Sequence, residues 1–260
     1  ATFIQVFIPT DEYIQANTSQ FNYVLGLNPK SVWFDSEGVK EFAAKFSSLS
    51  TLQLNRKGLD DKSIAAYLPV GEVPDSQLVS SNVYWQNTVY FNRSQPVFGV
   101  DYTYQRTLGK VVLVNGPEAR EKAEHRVNMR YRIIEPLTFT LLGASGIKRL
   151  TSIAFTDRSY RTPYTSLEPG LTFLKGTSFR ISTKYIYKIS NNTEGGEQLI
   201  SHTGVADIRY NVPGNSSVTA RFSFTDVAFE GVADSPVGFA MLEGLQNGAN
   251  ILWNLKYDKR

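Results

Sequence analysis

The chain contains no cysteine. No disulfide framework, thiolate metal site or cysteine nucleophile can therefore be built from it. It has only two histidines, His125 and His202, with no paired spacing, so no zinc centre is expected. The net charge is +3, with no dense run of Lys or Arg. That is too mild for a nucleic-acid surface, and no nucleic-acid partner is expected. No stretch approaches the roughly 18 apolar residues of a membrane-spanning helix. The opening "ATFIQVFIPT" lacks the basic start of a secretory signal. The expectation is a removed leader or a piece of a longer protein.

What the chain has is aromatic residues and alternation. Aromatics make up 13% of it, chiefly 16 Phe and 14 Tyr. In "FGVDYTYQRT" (98–107), Phe98, Val100, Tyr102 and Tyr104 share one parity, and Gly99, Asp101, Thr103 and Gln105 share the other. Successive side chains of a strand point to opposite faces, so this is a ribbon with one apolar and one polar side. Val83, Trp85, Val89 and Phe91 continue the pattern, as do Val127, Met129, Tyr131 and Ile133 against Arg126, Asn128, Arg130 and Arg132. Later segments repeat it: Leu137–Leu141, Leu167–Phe173, Phe179–Ile189, Ile200–Val212, Val218–Phe224 and Ile251–Tyr257. Alternation sustained over so many segments is a strong strand signal.

The links carry a second signal. "NRSQP" (92–96), "IIEP" (133–136), "LKGTS" (174–178) and "VPGNSS" (212–217) are tight and rich in turn residues. Longer links are expected at 107–122, 147–160, 190–198 and 229–248. Strict alternation of short and long links is the meander of an up-and-down barrel. Residues 1–76 are less regular. Strands are expected at 2–8, 21–28 and 50–56, and loop helices at 37–47, where Val39, Phe42, Ala43 and Phe46 share a helical face, and at 60–68. Another short helix is expected at 235–245, started by Pro236. The domain reading is thus 1–76, N-terminal strands with helix-bearing loops, and 77–260, a regular hairpin meander of the same barrel.

A soluble sandwich buries its apolar face, whereas a membrane barrel turns that face to lipid. Segments of about 10–14 residues suit a tilted membrane crossing better than an ordinary strand. Trp85, Phe91, Tyr104, Tyr131, Phe173, Phe179, Tyr187, Tyr210 and Trp253 are read as interfacial aromatics. The expected fold is therefore all-β: an antiparallel up-and-down transmembrane β-barrel, part of a larger one, with a few short loop helices. Its expected place is the bacterial outer membrane. The alternative is a soluble β-sandwich that binds glycan or protein through its loops. Exposed apolar area separates the two, because a sandwich must cover these faces with a second sheet.

In a barrel, Arg126, Arg130, Arg132, Arg180, Lys184, Lys188, Arg209, Arg221 and Lys256 point into the lumen. Asp101, Glu124, Glu168 and Asp207 answer some of them. The plain reading is a network that stiffens the interior; the sharper one is a basic lining for anionic solutes or a partner segment.

Chemistry is sparse. His202 and Ser201 are neighbours and point apart, and His125 falls in phase with the apolar face. Asp157, Glu168, Asp226 and Asp234 are scattered at loop ends and nominate no glycosidase pair. Asp226, Glu230 and Asp234 are the acids a loop calcium site would use, against the plainer reading as solvated acids. "GASG" (143–146) lacks the lysine of a phosphate loop and reads as a thin strand end. No catalytic residue, cofactor or metal is expected, and the protein is read as no enzyme but a pore, transport or secretion channel, or a scaffold.

The segment "DSPVGFAMLEGLQNGANILWNLKYDKR" (234–260) resembles one near the C-terminus of large Bacteroidota cell-envelope proteins. There a Ser-Pro and a Met-Leu-Glu-Gly-Leu-Gln loop precede a Trp-Asn-Leu strand. "VYFNRSQPVFGVDYTYQ" (89–105) and "SLEPGLTFLKGTSFRISTKYIYK" (166–188) extend the resemblance over residues 77–260. It implies a longer protein with another strand or two after Arg260, and an envelope setting that also holds the type IX secretion barrel. The partners it implies are membrane lipid and other envelope proteins or lipoproteins.

Overall fold

The computed structural model describes residues 15–33, 37–59, 77–113, 116–212 and 216–259. They form eleven strands: β1 (Ala16–Leu27), β2 (Phe46–Leu59), β3 (Leu78–Phe91), β4 (Phe98–Leu113), β5 (Gly116–Ile134), β6 (Leu137–Ser152), β7 (Tyr160–Lys175), β8 (Phe179–Asn191), β9 (Gln198–Val212), β10 (Ser216–Glu230) and β11 (Gly248–Lys259). They make one sheet in strict chain order, and every neighbouring pair is antiparallel. The fold is all-β and up-and-down, the barrel-type meander that the alternation predicts. β1 and β2 belong to the same sheet as the rest.

Burial decides which face is which. Along β7, Thr162, Tyr164 and Ser166 are buried, while on the alternate positions Arg161, Thr165 and Leu167 are exposed and Pro163 is half-buried. Buried Thr88, Glu124, Ser190, Ser201 and Thr225 lie on the same face as these. The opposite face presents Val127, Tyr131, Leu167, Tyr185, Ile208, Tyr210 and Phe222, all more than 40% exposed. A protein that buries serine, threonine and glutamate while exposing its leucine and phenylalanine has its polarity inverted relative to a water-soluble fold. Among the described residues no second sheet covers the apolar face, as a sandwich would require.

The interfacial aromatics fall at different heights. Phe91, Phe98, Phe173, Phe179 and Tyr210 form edge contacts at the end of the strands nearest the short turns, with ring centroids 6.4–6.5 Å apart. Tyr131 is directly opposite Phe98 there. Trp85, Tyr104 and His125 cluster higher on the wall, as do Tyr187 and His202. Trp253 departs from the expectation: it faces Phe222 midway along β10–β11 and is 72% exposed, so it is a wall residue.

Several links differ from the sequence expectation. Strands β4 and β5 run through 107–122 and pair as far as Leu113 with Gly116, so no long loop lies there. β6 continues to Ser152, which narrows the expected 147–160 link. Polar residues such as Lys110, Arg120 and Lys148 hide the strand signal, because a strand that outruns the apolar band needs no apolar face. "GASG" is mid-strand in β6. The helix expected at 37–47 shrinks to α1 (Val39–Ala43), because Phe46 already begins β2 and pairs with Phe91. The 2–8 strand and the 60–68 helix lie outside the described residues.

The β10–β11 link carries α2 (Pro236–Leu242). Ser235 caps it by accepting from the Gly238 amide at 2.9 Å, and Pro236 occupies its first turn. Val237, Met241 and Leu242 bury themselves against Leu199, Val227 and Phe229 of β9 and β10. The face that carries α2 is the polar face of the wall, called the inner face below.

Candidate functional site

The inner face holds a connected polar network where α2 meets the wall. It begins at Gly146 of β6, which lies directly opposite Glu124 of β5 on one side and Tyr164 of β7 on the other. With no side chain at Gly146, the Tyr164 phenol reaches over β6 and donates to Glu124. A Cβ at 146 would stand 2.8 Å from the phenol oxygen. Glu124 also receives Arg126 at 2.6 Å and Lys122 at 3.3 Å. A buried carboxylate with several donors and two cations is compensated on every side.

The Tyr164 ring connects this half to the second. The ammonium groups of Lys148 and Lys188 stand 5.8 and 5.9 Å from its centroid, at the outer reach of a cation–π contact. Both lysines turn to Glu243, Lys188 at 3.4 Å and Lys148 in closer contact. Glu243 is the residue that ends α2, and its φ of 54° lies in the left-handed region. That conformation costs a non-glycine residue about 1 kcal/mol or more, and here it points the carboxylate at the two lysines. Burial pushes the Glu243 carboxyl up; the bond from Lys148 and the charges of Lys188 and Lys148 outweigh it and hold the group below its ordinary range. The network therefore ties the β10–β11 link to the wall through charge, and the Leu199–Phe229–Met241 cluster ties it through apolar contact.

All nine basic residues expected to line the lumen lie on the inner parity, with different partners. Arg126 and Lys188 belong to the network above. Arg130 crosses Gly99 to donate to the carbonyls of Arg93 (3.4 Å) and Gln95 (3.2 Å), bracing the β3–β4 turn. Arg132 pairs with Glu135 at 3.3 Å, and Lys256 with Asp258 at 3.1 Å. Lys184 pairs with Glu168 at 3.6 Å, and Arg221 with Asp207 at 3.8 Å. Asp101 takes the Asn128 amide at 3.4 Å instead of a cation. Arg180 donates to the Ser182 hydroxyl, and Arg209 stands directly opposite it. These two arginines line a cavity of about 260 Å³ with Ser182, Asp207 and Thr219, and no carboxylate pairs with either among the described residues.

Sequence reasoning missed Lys148, Gly146, Tyr164 and Glu243. Lys148 fell in an expected loop, and Tyr164 preceded the segment read as a strand. The usable signal was a glycine in phase with a tyrosine on the next strand, which shows only once the register is known. Among the described residues no group of three or more His, Asp or Glu could hold a metal, and Asp226, Glu230 and Asp234 form none.

No family model matches the chain, and no curated protein matches it. Among solved structures it is similar to OmpT (in-vitro folded), an outer membrane protein of Vibrio cholerae. The likeness has 9% identity and a TM-score of 0.45, over 94% of this chain and 97% of that one. It concerns the fold.

The expectation that the protein is no enzyme is corrected here and not carried forward. The parity argument behind the expectation fails between strands. Within a strand Ser201 and His202 do point apart, but across strands the Tyr185 hydroxyl meets His202 Nδ1. The Tyr102 hydroxyl likewise meets His125 Nδ1 at 2.8 Å. Convergence of polar groups is a property of the register, which parity along one strand cannot exclude.

Proposed function

We propose that this chain is wall of a bacterial outer-membrane barrel whose inner face guides anionic solute or an anionic segment of a secreted or partner protein. Arg180 and Arg209 carry the reading: they face each other on the inner wall near the short turns, with no carboxylate pairing either. Two guanidinium groups facing one cavity form a fork that suits carboxylate or phosphate. The inward-folded α2 narrows the same lumen from the opposite rim. The resemblance of residues 77–260 to Bacteroidota envelope proteins adds a setting in a larger barrel, with envelope proteins or lipoproteins as partners and secretion as one context.

The test is ion selectivity. The full-length protein, reconstituted in a planar bilayer under a salt gradient, is expected to show a reversal potential on the anion side. The Arg180→Ala/Arg209→Ala variant should move that potential toward zero. Cation selectivity, or an unchanged potential in the variant, would remove the reading.

A further inference from the structure

A second arginine pair lies on the other face of the sheet. Arg149 of β6 and Arg161 of β7 are direct cross-strand partners, and both are exposed. Their parity is that of Ile147, Leu141, Leu167 and Leu171, the apolar outer face. Glu121 is directly opposite Arg149, but its carboxylate is engaged by Arg106 at 2.7 Å. Among the described residues no carboxylate pairs with Arg149 or Arg161. Like charges directly opposite one another destabilise a strand pair, so the fold holds two cations together at a cost that an anion between them would reverse.

Their height on the wall identifies the anion. Glu121 marks the same level on β5 as Arg149 does on β6. From Tyr131 in the lower aromatic belt to Glu121 is about 34 Å along a strand, or about 24 Å across a membrane at a 45° tilt. That is about the height of a lipid-facing apolar band. The pair thus sits where the upper headgroups of a bilayer begin, on the side away from the short turns. Below it, Ile147 faces Pro163, Ser145 faces Thr165, and Gly143 faces the exposed Leu167. This strip of the outer face lies between Val127 and His125 on β5 and Tyr187 and Ile189 on β8.

We infer that Arg149 and Arg161 clamp the phosphate of an outer-leaflet lipid whose acyl chain lies along the apolar β6–β7 strip beneath them. Two guanidinium groups supply the donors for a phosphate, and Ile147, Pro163 and Leu167 supply apolar contact for the chain beneath it. This inference rests on the membrane reading above.

The test uses the full-length protein in phosphatidylcholine nanodiscs with a minor fraction of phosphatidylglycerol, with bound lipid counted by native mass spectrometry. Wild type is expected to retain phosphatidylglycerol over phosphatidylcholine. Arg149→Gln/Arg161→Gln should weaken that preference at least tenfold, and Arg158→Gln, in the β6–β7 link, should not. The double variant should also unfold at a higher denaturant concentration in neutral detergent, because the repulsion is gone. That result shows the variant is folded. Equal retention by wild type and a folded double variant would overturn the inference. Displacement of the lipid by millimolar inorganic phosphate would overturn the lipid source and leave a free-anion site. Failure of wild type to enter nanodiscs at all would instead overturn the membrane reading, and the inference with it.

Discussion

The Tyr164 phenol crosses an entire strand to reach Glu124, and it can do so because Gly146 stands between them. The three residues lie in one row on β5, β6 and β7. This contact joins three strands at the point where the inner wall meets the inward-folded link. Gly146→Val should displace the phenol and destabilise the fold by about 1–3 kcal/mol, the usual cost of overpacking. Tyr164→Phe should cost about 1–2 kcal/mol, since Arg126 and Lys122 still satisfy the carboxylate. Denaturant midpoints in detergent check both, and the double variant should cost less than the sum because the two sites act on one contact.

Glu243 holds the α2 link to the wall through Lys148 and Lys188. Its side chain is half exposed, so the pairs are partly screened and the effect is modest. Glu243→Gln should raise the rate of limited proteolysis within 231–247 several-fold and leave global stability nearly unchanged. Met241→Ala, which removes a buried apolar contact, should raise it further, since such truncations cost about 2–5 kcal/mol.

Acid should release the same link. The Glu243 carboxyl is held below its ordinary value when docked, so the undocked state binds more protons at low pH. Docking stability is then complete above the ordinary carboxylate value of about 4.3 and is lost as pH falls through the depressed one. Proteolysis with an acid-active protease should accelerate below about pH 4, stay flat above about pH 5, and lose the acid step in Glu243→Gln.

The outer face can be tested for lipid directly. Val127 lies between His125 and Tyr131 in parity and is 43% exposed. Val127→Arg should destabilise the protein by about 2–4 kcal/mol in a bilayer, as a cation at mid-membrane depth does. In water the same change at an exposed strand position would be nearly neutral. Refolding into vesicles, compared with wild type, distinguishes the two.

The sequence by itself determined the strands and their two faces. Period-2 alternation is local, so Val127, Leu167 and Phe222 could be assigned to one face and Arg126, Lys184 and Arg221 to the other without any knowledge of partners. Turn residues likewise placed the tight links at 133–136 and 174–178, and Pro236 marked the start of α2. Only the tertiary structure decided which groups meet. Contact between Tyr164 and Glu124 depends on the register of three strands and on a missing side chain at 146. Contact between Glu243 and its lysines depends on the β10–β11 link folding back as far as β8 and β6. The Arg149–Arg161 pair was hidden because strands that rise past the apolar band lose the alternation that announces them. Local sequence fixes which way a side chain points, whereas hydrogen bonding between strands fixes what it points at.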